Sequence, residues 1–76
     1  MTKATQQALA ERLDCATEDD LAVLANVQLA TVIDWRRRGE GPPYVKLGNV
    51  ILYPHIYLAE YLHANVRGIK VEPAIL

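Results

Sequence analysis

TVIDWRRRGEGPPYVKLGNVILYP, Thr31 to Pro54, carries the reading of the whole chain. Leu29, Val32 and Trp35 stand at i, i+3 and i+6, an apolar stripe that runs up to three consecutive arginines and stops at Gly39. This spacing predicts a helix that starts after Gln28 and ends at Arg38. Gly39-Glu40-Gly41-Pro42-Pro43 follows, and neither helix nor strand continues through such a run. Beyond it, Tyr44–Leu47 and Val50–Tyr53 are rich in β-branched and aromatic residues. Gly48-Asn49 between them predicts a β-hairpin with a two-residue turn.

The flanking segments extend this frame. Glu18 to Ala25 predicts a helix with Leu21, Leu24 and Ala25 facing inward. Thr17 is its expected N-cap, and Glu18, Asp19 and Asp20 fill the first turn, where the helix dipole favours negative charge. Asn26 suits a left-handed stop. Thr5 to Ala16 predicts an earlier helix with a thin apolar stripe of Leu9, Leu13 and Ala16. After the hairpin, Pro54 suits the first position of a last helix that turns Leu58, Tyr61, Leu62 and Val66 inward and ends at Gly68. The tail from Ile69 onward is compatible with an added strand, a docking segment or disorder. The expected fold is therefore mostly α with a small β-hairpin. It is a winged helix-turn-helix over residues 17–68, with an extra N-terminal helix over residues 1–16 and a tail over residues 69–76.

Composition narrows the chemistry. The 76 residues make one domain with a small core. The one cysteine, Cys15, allows no internal disulfide, and it has no metal-ligand spacing with His55 or His63. No cofactor or metal is expected. No run approaches the roughly 20 apolar residues of a membrane span, so a soluble cytoplasmic protein with no membrane partner is expected. A Gly-rich phosphate loop, a nucleophile elbow and a paired-carboxylate cleft are all missing, so neither an enzyme nor a small-molecule substrate is expected. The net charge of −1 hides an uneven distribution. Up to Gln28, Lys3 and Arg12 face five carboxylates; from Leu29 to Tyr53, four cations face only Asp34 and Glu40. The acidic start is accounted for by helix capping, and the basic middle hints at a polyanion partner.

At about 100° per residue, the face opposite the apolar stripe carries Ala30, Thr31, Asp34, Arg37 and Arg38, which suits a helix entering a major groove. Gln28 opens that helix. Small Ala30 and Thr31 permit close approach, and Thr31 can touch a thymine methyl or donate a hydrogen bond. Arg37 and Arg38 can grip phosphate or read guanine, and Arg36, nearer the side, is expected on phosphate. Asp34 repels phosphate unless it accepts from a cytosine amino group or orients Arg38 four residues on. In the wing, Lys46 and the tip residue Asn49 are the polar candidates, with Tyr44 and Tyr53 flanking them as phosphate donors. The competing explanation of the arginine run is a solvated helix end that suits its own dipole. Trp35 is assigned to the core.

Glu18 to Leu62 resembles the MerR-like winged-helix domains of phage excisionases and AlpA-type regulators. The likeness rests on Val27, Thr31-Val32, Trp35, Arg37-Arg38-Gly39, Pro43, Val45-Lys46-Leu47-Gly48, Tyr53 and the Leu58/Leu62 helix. The resemblance implies a sequence-specific, cooperative, DNA-bending protein whose copies self-associate along double-stranded DNA and bias a phage integrase towards excision. The alternatives are a small AlpA/MerR-like transcriptional regulator and a phage packaging subunit. From another class comes a protein-interaction module that has lost DNA. The chain departs from the family at Gln28, where Ser or Thr is usual, and at Leu29 and Ala30, where polar or basic residues are. It also carries Asn49, Val50 and Leu52 in place of wing arginines, which implies weak binding per subunit. The N-terminal helix and the tail lie outside the resemblance and are expected to supply protein–protein contacts.

Overall fold

In a computed structural model, which describes residues 2–68, the chain forms four helices and a three-stranded antiparallel sheet. The order is α1 (Lys3–Arg12), β1 (Cys15–Thr17), α2 (Glu18–Ala25), α3 (Leu29–Arg37), β2 (Val45–Leu47), β3 (Val50–Pro54) and α4 (His55–Ala64). β3 lies between β1 and β2, with Ala16 opposite Tyr53 and Leu47 opposite Val50. No helix among the described residues is long and apolar enough to cross a membrane.

Local chemistry sets most of the boundaries. Thr17 Oγ1 accepts from the Asp20 N–H at 3.1 Å while Asp20 Oδ2 accepts from the Thr17 N–H at 2.9 Å, a reciprocal cap that starts α2. Asn26 ends α2 at φ +59°, ψ +47°, the left-handed conformation that its short polar side chain tolerates. After a three-residue turn α3 begins. Its end is marked by Gly39 at φ +71°, and the loop folds back so that the Glu40 N–H reaches the Trp35 carbonyl at 2.8 Å.

One face of the sheet makes the core. Ile51 and Tyr53 point the same way from β3 and pack on Leu21 and Ala22 of α2 and Val32 of α3. Ala16, Val27, Leu29, Trp35 and Leu58 close round them. The opposite face turns Leu47, Val50 and Leu52 towards α1, which contributes buried Ala10. Thus α1 is packed on the body of the fold through β1 and does not stand apart from it.

Several expectations are corrected. The first helix stops at Arg12 and does not reach Ala16. Asp14 takes φ +58°, and residues 15–17 form a strand whose Ala16 faces Tyr53. A strand of three residues is too short to show a period in sequence. In α2 the buried pair is Leu21 and Ala22, whereas Leu24 is 72% exposed. Pro54 closes β3 and precedes α4, and α4 ends at Ala64, short of Gly68. Leu58 packs on the core as expected, but Leu62 and Val66 are more than half exposed. The tail expectation, from Ile69 onward, lies outside the described residues.

Because the Thr17 hydroxyl is buried and serves the α2 cap, Thr17→Ala is expected to lower unfolding free energy by about 1–2 kcal/mol. Thr17→Ser should keep most of it. Urea titration of the three proteins checks this, and equal losses for Ala and Ser would assign the effect to the methyl group instead.

Candidate nucleic-acid interface

The outer surface of α3 follows from its inner one. Val32 is 2% exposed, and Leu29 and Trp35 are half-buried beside it, so the residues about 180° away must face water. Ala30, Asp34, Arg37 and Arg38 are exposed and Thr31 is half-buried. Gln28 occupies the N-cap position, is exposed and makes no side-chain capping bond.

The three arginines have three different situations. Arg36 turns inward: its Nε donates to Glu18 Oε2, and its guanidinium lies 5.8 Å from the centre of the Tyr44 ring. Arg37 is exposed and makes no ion pair among the described residues. Arg38 is exposed but flanked by carboxylates, with Asp34 Oδ2 at 2.9 Å and Glu40 Oε1 at 3.6 Å. Asp34 therefore orients Arg38 across one helical turn, one of the two roles expected of it.

One expected contact residue, Tyr53, is corrected by this geometry. Tyr53 is 2% exposed and donates its hydroxyl to Glu18 Oε2 at 3.3 Å, so it is a core residue and cannot meet phosphate. Arg36 gives its Nε to the same carboxylate while its side chain stays 22% exposed. Tyr44 remains 45% exposed, tilted against Tyr53 with ring centroids 6.1 Å apart. Lys46 and Asn49 are exposed on the hairpin, Asn49 at its tip after Gly48 at φ +62°. Lys46 stands opposite Ile51 in the register, so it leaves the sheet on the same side as the core helices. Among the described residues of α3 and the hairpin, the exposed cations with no ion pair are thus Arg37 and Lys46.

Glu18 is the residue that sequence reasoning passed over. Its first-turn position accounted for its charge, and nothing in spacing signals a partner 18 residues away. The hydrogen bond from Arg36 to Glu18 raises the guanidinium's pKa further above its usual value. Burial, then the neighbouring Glu18 charge and hydrogen bond, push the Tyr53 hydroxyl up to about 12. Among the described residues no cluster of three or more His, Cys, Asp or Glu side chains could hold a metal ion.

Compared with protein-family models, with curated proteins and with solved structures, the chain finds no match.

The folded chain binds the Tyr53 proton more tightly than the unfolded chain, whose tyrosines titrate near 10. The stabilisation is therefore complete below about pH 10 and is lost as pH rises through about 12. Between about pH 8 and about pH 11, wild type should lose about 1 kcal/mol more stability than Tyr53→Phe. Urea titrations of both proteins at the two pH values measure it; parallel losses would show that Tyr53 ionises as freely when folded as when unfolded.

Proposed function

We propose that this chain is a non-catalytic, sequence-specific DNA-binding protein of the winged helix-turn-helix kind, with α3 as the helix that enters the major groove and the β2–β3 hairpin as the wing. One observation carries the reading. A single helix presents a core stripe on one side and, on the other, small residues at its start and exposed arginines at its end. The small side chains of Ala30 and Thr31 let the helix approach base edges, and Arg37 and Arg38 supply charge where the helix leaves the groove. Lys46 and Asn49 extend the same surface onto the hairpin, where contacts to backbone or minor groove form.

Within this reading the protein acts as an excisionase: copies bound side by side bend the duplex and bias a phage integrase towards excision. An AlpA-type regulator would use the same surface, and a neighbouring integrase gene separates the two. Few cations point outward, so binding per copy is weak and strong complexes need several copies. A protein-interaction module is the rival reading, supported by the two carboxylates held against Arg38 and by the uncharged outer face of the hairpin.

Mobility-shift titration on duplex from around the protein's own gene, with unrelated competitor present, tests the proposal. Arg37, Arg38 and Lys46 imply a salt slope of about −2.7, hence an affinity loss of about 40-fold from roughly 50 to 200 mM salt. Arg37→Ala should flatten that slope by about 1, and Arg37→Ala with Arg38→Ala should abolish discrete complexes. No shift at low salt on this duplex or on a random pool would refute DNA binding. A separate outcome concerns Asp34. Asp34→Asn frees Arg38 from one carboxylate and should raise affinity for unrelated duplex about threefold to fivefold, as breaking an exposed pair worth up to about 1 kcal/mol allows. Unchanged affinity for unrelated duplex would mean that Asp34 leaves Arg38's reach unaffected.

A further inference from the structure

Between α1 and the outer face of the hairpin lies a groove of about 600 Å³. Leu9, Leu13, Leu47, Val50 and Leu52 line it, and Arg12 stands at its rim. Leu9, Leu13 and Leu47 are 41%, 65% and 62% exposed, so nothing among the described residues covers it. β2 borders the groove and is an edge strand of the sheet, with an outer row of N–H and C=O groups that no described strand pairs. Val23 and Leu24 of α2 are more exposed still, but they stand on a convex helix surface, which cannot enclose a segment from two sides.

We propose that residues 69–76 of the same copy fill this groove. They lie outside the described part of the chain and read Ile-Lys-Val-Glu-Pro-Ala-Ile-Leu. Ile69 and Val71 alternate with Lys70 and Glu72, the pattern of a segment with one apolar side, and Ile75 and Leu76 add two more large apolar side chains. One apolar side suits the wall made by Leu9, Leu13 and Leu47, while extended backbone suits the open edge of β2. The charges agree, because Arg12 at the rim makes no ion pair among the described residues and Glu72 brings a carboxylate.

The chain reaches. Leu13, at the α1 end of the groove, precedes Asp14, whose carbonyl accepts from the His55 N–H at 2.8 Å. The groove therefore opens beside the start of α4, and the ten residues of that helix carry the chain about 15 Å away. The helix stops at Asn65, and residues 65–76 span up to roughly 40 Å when extended, more than the way back. A tether this short holds the segment at an effective concentration on the order of millimolar, so a contact too weak to join two copies is populated within one. Seated there, the segment ties α1 to the hairpin. The inference does not rest on DNA binding, and its test contains no DNA.

The test places a nitroxide on the full chain through Lys70→Cys in a Cys15→Ser background and reads amide intensities in a ¹⁵N spectrum before and after reduction of the label. The amides of Leu9, Leu13 and Leu47 should lose most of their intensity, while those of Val23 and Leu24 keep theirs. Adding Leu47→Glu should restore the groove amides. Leu9→Glu is a second groove variant; both positions are exposed, and the spectrum itself shows whether each variant folds. Loss confined to residues next to the label, or spread evenly over the chain, overturns the proposal. So does loss that persists in both folded groove variants. Groove amides that broaden only when labelled chain without ¹⁵N is mixed with unlabelled ¹⁵N chain overturn it as well, because the occupant would then be a second copy.

Discussion

One carboxylate oxygen, Oε2 of Glu18, accepts from Arg36 of α3 and from the Tyr53 hydroxyl of β3. Glu18 is the first residue of α2, so three elements meet at a single acceptor whose side chain is only 14% exposed. The core of this chain is a handful of side chains, too small to fix by packing alone how α3 lies against the sheet. Thr17 and Asp20 start α2 with a reciprocal cap, which places Glu18; Glu18 then fixes Arg36, and with it the rotation of α3 about its axis. Taking two charges partly out of water offsets much of their attraction, so the gain is chiefly one of orientation. Tyr44 completes the arrangement by covering the guanidinium with its ring.

That rotation decides which arginines reach outward. Successive helical residues differ by about 100°, so if Arg36 is held against the protein, Arg37 must leave it. Arg38 swings further and comes over Asp34, one turn back. A run that reads as one basic patch is therefore a structural cation, one with no ion pair among the described residues and a balanced one. The charge available to a polyanion is smaller than composition suggests, and its placement is more definite.

Much of the fold was legible because its signals are local. The Thr17 cap, the Asn26 stop, the stripe of Leu29, Val32 and Trp35 and the turn at Gly48-Asn49 each depend on residues within a few positions. What escaped depends on partners far along the chain. β1 exists because Cys15–Thr17 pairs with Pro54–Leu52, and three residues show no period by themselves. Leu24 and Leu62 carry the right type at inward spacing, yet no element among the described residues stands over them. In the candidate interface, exposure of Ala30, Asp34, Arg37 and Arg38 followed from the helical stripe. The inward turn of Arg36 and the burial of Tyr53 hung on Glu18, which capping had already accounted for.

The distribution of apolar side chains links stability to association. Among the described residues seven hydrophobic side chains are buried, two of them alanines, while eleven of valine size or larger are exposed. A core of that size leaves an isolated copy marginal. Any contact that covers the exposed set binds the folded chain and not the unfolded one, so it stabilises the fold by mass action as it forms. For a DNA-binding copy with few outward cations, the same contact adds affinity that phosphate alone does not supply. Covering the residues left out of the core would in this way raise stability and affinity together.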